Sequence, residues 1–115
     1  EPRVDVRAEM QWLATLIQAF GSRERVREFM LELLAACRAD EAEYDGLDTQ
    51  DDRVRHQLLH RMEGGLDIIE PLRTTVAEDP TGPGLMARRA AVHEQLRRLE
   101  GLIAGLGTRG PDSSS

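Results

Sequence analysis

The stretch LMARRAAVHEQLRRLEGLIAGL, Leu85 to Leu106, decides how this chain folds. Its apolar residues Leu85, Val92, Leu96, Leu99, Ile103 and Leu106 return at intervals of seven, four and three. A helix repeats every 3.6 residues, so side chains at those intervals share one side of it. A strand would need alternation and many β-branched residues; the stretch lacks the first and holds only Val92 and Ile103 of the second. The order is close to heptad, and the stripe is narrow and long enough for a coiled-coil seam. The expectation is therefore a homodimer through Leu85, Val92, Leu96, Leu99 and Ile103.

Upstream, the same periodicity occurs three more times. Val54, Leu58, Met62, Leu66 and Ile69 form one stripe, and Val26, Phe29, Met30, Leu33 and Cys37 another. Val6, Met10, Leu13, Ile17 and Phe20 form the first, closing at Gly21, a natural helix stop, with Ser22 placed to cap the next helix. EDPTGPG, Glu78 to Gly84, reads as a turn, and GTRGPDSSS as a frayed tail. Short connections between four amphipathic segments predict an all-α fold: an antiparallel helical bundle, one domain over 1–106 with a flexible tail over 107–115. The third helix carries a conflict. Gly64 and Gly65 together cost about 2 kcal/mol relative to alanine, and Pro71 about 3 kcal/mol more in mid-helix. The helix is expected to be interrupted near these residues, where the glycines would also admit a closely approaching helix or ligand.

The totals exclude several kinds of chemistry. A chain of 115 residues suits one domain, and 40% apolar residues can build a core. Aromatics are only 3%, so that core must be largely aliphatic. A net charge of −6 argues against a phosphate backbone as direct partner. Arg88, Arg89, Arg97 and Arg98 lie close in sequence, but helical spacing spreads them around the helix. There is no lysine, so a Walker-A loop or a Schiff-base lysine is impossible within these residues. A single cysteine, Cys37, permits no intramolecular disulfide, which fits a reducing, cytoplasmic setting; its place on an apolar stripe reads as buried and inert. Glu32 interrupts the best apolar run, Met30 to Cys37, so no membrane span is expected. The first residue is Glu rather than Met, which reads as a processed or excised chain.

Two polar stretches invite a cation. In EAEYDGLDTQDD, aligning Gly46 with the sixth position of an EF-hand loop makes Glu41, Glu43, Asp45 and Asp52 candidate calcium ligands. The fit is poor: the first position should be the shorter Asp, the twelfth should be Glu, and Asp48 stands where an aliphatic residue packs. The stretch reads better as a solvated bend. In RHQLLHRME, His56 and His60 stand one turn apart with Glu63 following, a spacing that could share a divalent metal, with His93 as a further ligand. By rotation, however, His56, His60, Glu63 and Asp67 lie opposite the third apolar stripe and should face water.

No catalytic constellation emerges: Ser22 reads as a cap and no serine stands in a nucleophile elbow. The sequence predicts a non-catalytic helical protein-interaction or oligomerisation module with a homodimer or another protein as partner. Trp12, off the first stripe beside Leu16, is a candidate interface anchor. The alternatives are a metal-binding bundle using His56, His60 and Glu63, and a small-molecule-sensing regulatory domain. For the latter, SRERVREFMLELLAACRAD, Ser22 to Asp40, resembles a helix of the ligand-binding portions of TetR-type repressors; the likeness spans that one helix.

Overall fold

The computed structural model describes residues 6–48, 51–74, 76 and 79–108. Among these, the chain forms four α-helices, one 3-10 turn and no strand: α1 (Val6–Phe20), α2 (Arg23–Asp45), α3 (Asp52–Leu66), the 3-10 turn Glu70–Leu72, and α4 (Gly82–Thr108). No helix among the described residues is long and apolar enough to cross a membrane.

The helix ends follow local chemistry. α1 stops where Gly21 takes φ +99°, a left-handed conformation that costs an L side chain but not glycine. The Ser22 hydroxyl then accepts from the Arg25 amide at 3.1 Å, capping α2. α2 closes at Gly46, whose N–H reaches the carbonyls of Ala42 and Glu43. α3 ends at Leu66, just past Gly64 and Gly65, and Pro71 sits in the first turn of the 3-10 segment. Pro71 thus stands outside α3, where its missing N–H costs little. The turn expected over Glu78–Gly84 gives way to helix from Gly82 onward, with Pro83 in the first turn of α4.

Ion pairs fix how the helices run. Asp45 and Arg38 of α2 pair with Arg89 and Glu100 of α4 respectively, so the order reverses and the two helices are antiparallel. Likewise Asp40 of α2 meets Arg61 of α3, while Leu33 packs against Gly65. α3 is therefore also antiparallel to α2 and runs parallel to α4. This departs from a simple alternation of four helices. A connection of fifteen residues, 67–81, joins α3 to α4. Gln95 on α4 holds the early part of that connection by donating to the Leu72 carbonyl at 2.5 Å.

The core lies between α2, α3 and α4. Val26, Met30, Leu59, Met62, Leu66, Ile69, Leu72, Leu85, Val92, Leu96 and Leu99 are essentially inaccessible. The stripe that predicted a homodimer seam is thereby corrected: Leu85, Val92, Leu96, Leu99 and Ile103 are all buried against the chain's own helices. α1 lies on α2, outside this three-helix core. The tail expected over 107–115 begins inside α4, which continues to Thr108; from residue 109 onward it lies outside the described residues.

Candidate functional site

The histidine strip faces water only in part: His60 is exposed, whereas His56, Glu63 and Asp67 are half-buried. Arg88 of α4 is fully buried and sends its guanidinium into α3. Its Nε and Nη2 donate to the two Glu63 carboxylate oxygens, both at 2.9 Å, a bidentate ion pair. Its Nη1 donates to the Asp79 carbonyl at 2.9 Å and lies 2.9 Å from His56 Nδ1. An arginine can only donate, so Nδ1 is the acceptor and the imidazole proton sits on Nε2. Gly84, one turn before Arg88, lets the chain close here: a Cβ on it would collide with the Asp79 side chain. Asp79 is further fixed by accepting from the Thr81 N–H and hydroxyl at 2.9 and 2.8 Å, which hold its carboxyl below the ordinary value.

Of the residues considered for a metal, His56 and Glu63 therefore converge on the guanidinium of Arg88. His60 stacks on His56 with ring centroids 6.3 Å apart. His93 is elsewhere, its Nδ1 3.3 Å from Glu41 Oε2. Among the described residues, no group of three or more His, Cys, Asp or Glu side chains is arranged to hold a metal ion. His60, Glu63, Gly64, Asp67, Thr74 and Val76 do line an open pocket of about 260 Å³. The Asp67 Oδ1 atom there is buried without a hydrogen-bond partner. Gly65 is filled from the other side, since a Cβ on it would lie 2.9 Å from Leu33 Cδ1.

The acidic stretch corrects the calcium frame. Glu41, Glu43 and Asp45 belong to α2, and only from Gly46 does the chain turn away. Glutamate and alanine favour helix, and arginines from two helices hold the carboxylates. Glu41 is buried; it pairs with Arg38 at 2.9 Å and Arg89 at 3.0 Å. Burial pushes its carboxyl up, but the Arg38 and His93 hydrogen bonds and the Arg89 charge outweigh it and leave the group below its ordinary value. Asp45 pairs with Arg89, and Asp52 with Arg55. Arg55 also donates to the Leu47 and Asp48 carbonyls, tying down the connection into α3. Tyr44 lies between the Arg55 and Arg89 guanidinium groups, 5.7 Å from each. Cys37 is buried, and burial, with Asp40 and Glu41 nearby, pushes its thiol up to about 11. It is neutral at physiological pH and a poor nucleophile.

α1 stands apart from these satisfied interfaces. Trp12, Leu13, Leu16, Ile17 and Phe20 pack against the core, yet each stays half-exposed, and Met10 is 65% exposed. None of its described side chains is buried. Phe20 touches Phe29 of α2 at a ring separation of 5.2 Å. The outward positions are Met10, Gln11, Ala14, Thr15, Gln18 and Ala19. Thr15 spends its hydroxyl on the Gln11 carbonyl at 3.0 Å. From Met10 to Ser22 there is no charged residue, in a chain that is 31% charged. That uncharged run is the signal in the sequence that singles out this face, more than the indole of Trp12 alone. No known protein family model, curated protein or solved structure matches the chain.

Proposed function

We propose that the protein is a non-catalytic helical interaction module whose docking surface is α1. The carrying observation is the contrast in burial: α1 is apolar enough for a core helix, yet none of its described side chains is buried. A helix resting on one neighbour leaves part of its apolar surface wet, at roughly 25 cal/mol per Å², and a second helix recovers that loss. The absence of charge between Met10 and Ser22 removes the desolvation cost that charged side chains would impose on such docking.

The test compares the full chain with Ala14→Glu. Ala14 is exposed, so a glutamate there is compatible with the fold while placing a charge in the docking face. Proteins that co-purify with the full chain, further copies of it included, should be lost from the variant, with helicity by circular dichroism unchanged. Equal recovery by both chains would remove α1 from the interface.

A second reading is supported by the pocket beside Gly64. Asp67 Oδ1, buried and unpartnered, would accept a hydrogen bond from an amine or another donor on a small molecule. A regulatory ligand of that kind should raise the melting temperature of the full chain but not of Asp67→Ala, which removes the acceptor. Equal shifts in both would exclude the pocket.

A further inference from the structure

Resting on α1 as the docking surface, we infer that its occupant is α1 of a second copy, packed antiparallel about a two-fold axis passing between Ala14 and Thr15. Two observations bear on that occupant. The first is charge, which limits where a second copy can sit. With a net charge of −6, two copies repel in general, and the exposed faces of α2, α3 and α4 carry charged side chains such as Glu28, Arg53 and Arg97. The described exposed face of α1 carries none, so it is where two like-charged molecules can meet without facing like charges at contact.

The second observation is that the face complements itself. Successive residues turn by 100°, so Gln11 and Gln18 point most directly outward, Ala14 and Thr15 flank them on either side, and Met10 and Ala19 form opposite edges. An antiparallel two-fold between residues 14 and 15 sets Gln11 across from Gln18 of the second copy, amide to amide, each a donor and an acceptor. Ala14 meets Ala14 and Thr15 meets Thr15 beside the axis, where small side chains let the helices come close. The Thr15 hydroxyl is already satisfied by the Gln11 carbonyl, so the contact strands no polar group there. Met10 lies along the Ala14 edge and covers the alanine pair. A parallel pairing would instead set only Gln11 and Gln18 against their own copies and send the two copies of Ala14, and of Met10, to opposite sides of the seam.

The contact is modest. A helix of 15 residues is about 22 Å long, and one such face falls below the roughly 800 Å² per partner of a standard stable interface. The dimer should therefore be reversible.

Sedimentation velocity over a wide concentration range, combined with disulfide trapping, tests this. The full chain should shift from monomer to dimer as concentration rises, and Ala14→Glu should stay monomeric. Under mild oxidation Ala14→Cys should cross-link copies rapidly. Met10→Cys should not, since its copies would lie about 13 Å apart along the axis, beyond the span of a disulfide. Buried Cys37 provides the background through the unsubstituted chain. A chain monomeric at every concentration overturns the inference but leaves docking on α1 intact if a different protein is lost with Ala14→Glu. A dimer that Ala14→Glu weakens, but in which Met10→Cys cross-links and Ala14→Cys does not, overturns the antiparallel two-fold alone. A dimer unaffected by Ala14→Glu overturns both this inference and α1 as the docking surface.

Discussion

α4 and α1 are both amphipathic by sequence, and the structure uses them in opposite ways. α4 buries its whole stripe, from Leu85 to Leu106, and adds a fully buried arginine. α1 leaves its apolar side half-covered. Apolar spacing says that a face will be buried, but not against what. The outward residues carry the missing information. α4 shows Glu94, Arg97 and Glu100 along its middle, with Met86 exposed near its start, whereas the described outward residues of α1 are alanine, threonine, glutamine and methionine.

The largest effect should come from the polar anchor of α4. Arg88→Met leaves the Glu63 carboxylate, only 15% exposed, without its partner, which should cost about 3 kcal/mol or more in urea denaturation. The double variant Arg88→Met with Glu63→Leu should recover most of that loss, since two apolar groups in place of a buried pair are often neutral. If the single substitution is silent, α4 is held by its leucines alone and the contrast with α1 weakens.

The apolar halves of the two helices can be set side by side. Leu99→Ala removes a side chain with no exposure and should destabilise by about 3 kcal/mol, with a cavity left behind. Leu13→Ala, half-exposed on α1, should cost about 1 kcal/mol in dilute solution, where no second molecule covers it. Equal costs, measured by chemical denaturation at low concentration, would mean that α1 belongs to the core.

Between these helices lies what the sequence conveyed and what it did not. The helices and their apolar sides were legible because 3.6-residue periodicity is a local property. The same is true of Ser22 as a cap and Gly21 as a stop. Long-range pairing was not. Glu41, Glu43 and Asp45 look like a solvated bend until Arg89, far along the chain, is seen to reach Glu41 and Asp45. His56 and Glu63 look wet because rotation about one helix does not reveal an arginine arriving from another. The direction of α4 was hidden for a related reason: residues 67–81 could equally have made a compact turn.

The acid limb of stability should expose that hidden pairing between α2 and α4. Glu41 is held below its ordinary 4.5 in the folded chain, so its contribution is present above that value and is lost as pH falls through the lower, folded one. Glu41→Gln should flatten this part of the stability profile without moving the association of α1. An unchanged profile would show that the carboxylates of α2 are as solvated as their composition suggests.

The smallest effect concerns the outer side of α4 itself. Gly101 is exposed, helical, and has nothing within 4 Å of where a Cβ would stand. Gly101→Ala removes backbone freedom from the unfolded chain and introduces no clash, so it should stabilise by about 0.5–1 kcal/mol, a rise of a few degrees in melting temperature. Because that side of α4 is built for water, the substitution should leave the monomer–dimer equilibrium where it was, while Ala14→Glu on α1 abolishes association. If Gly101→Ala alters association as strongly as it alters melting, then the outer side of α4 also lies at the interface, and an uncharged helix face is not what separates a surface left for a partner from one left for solvent.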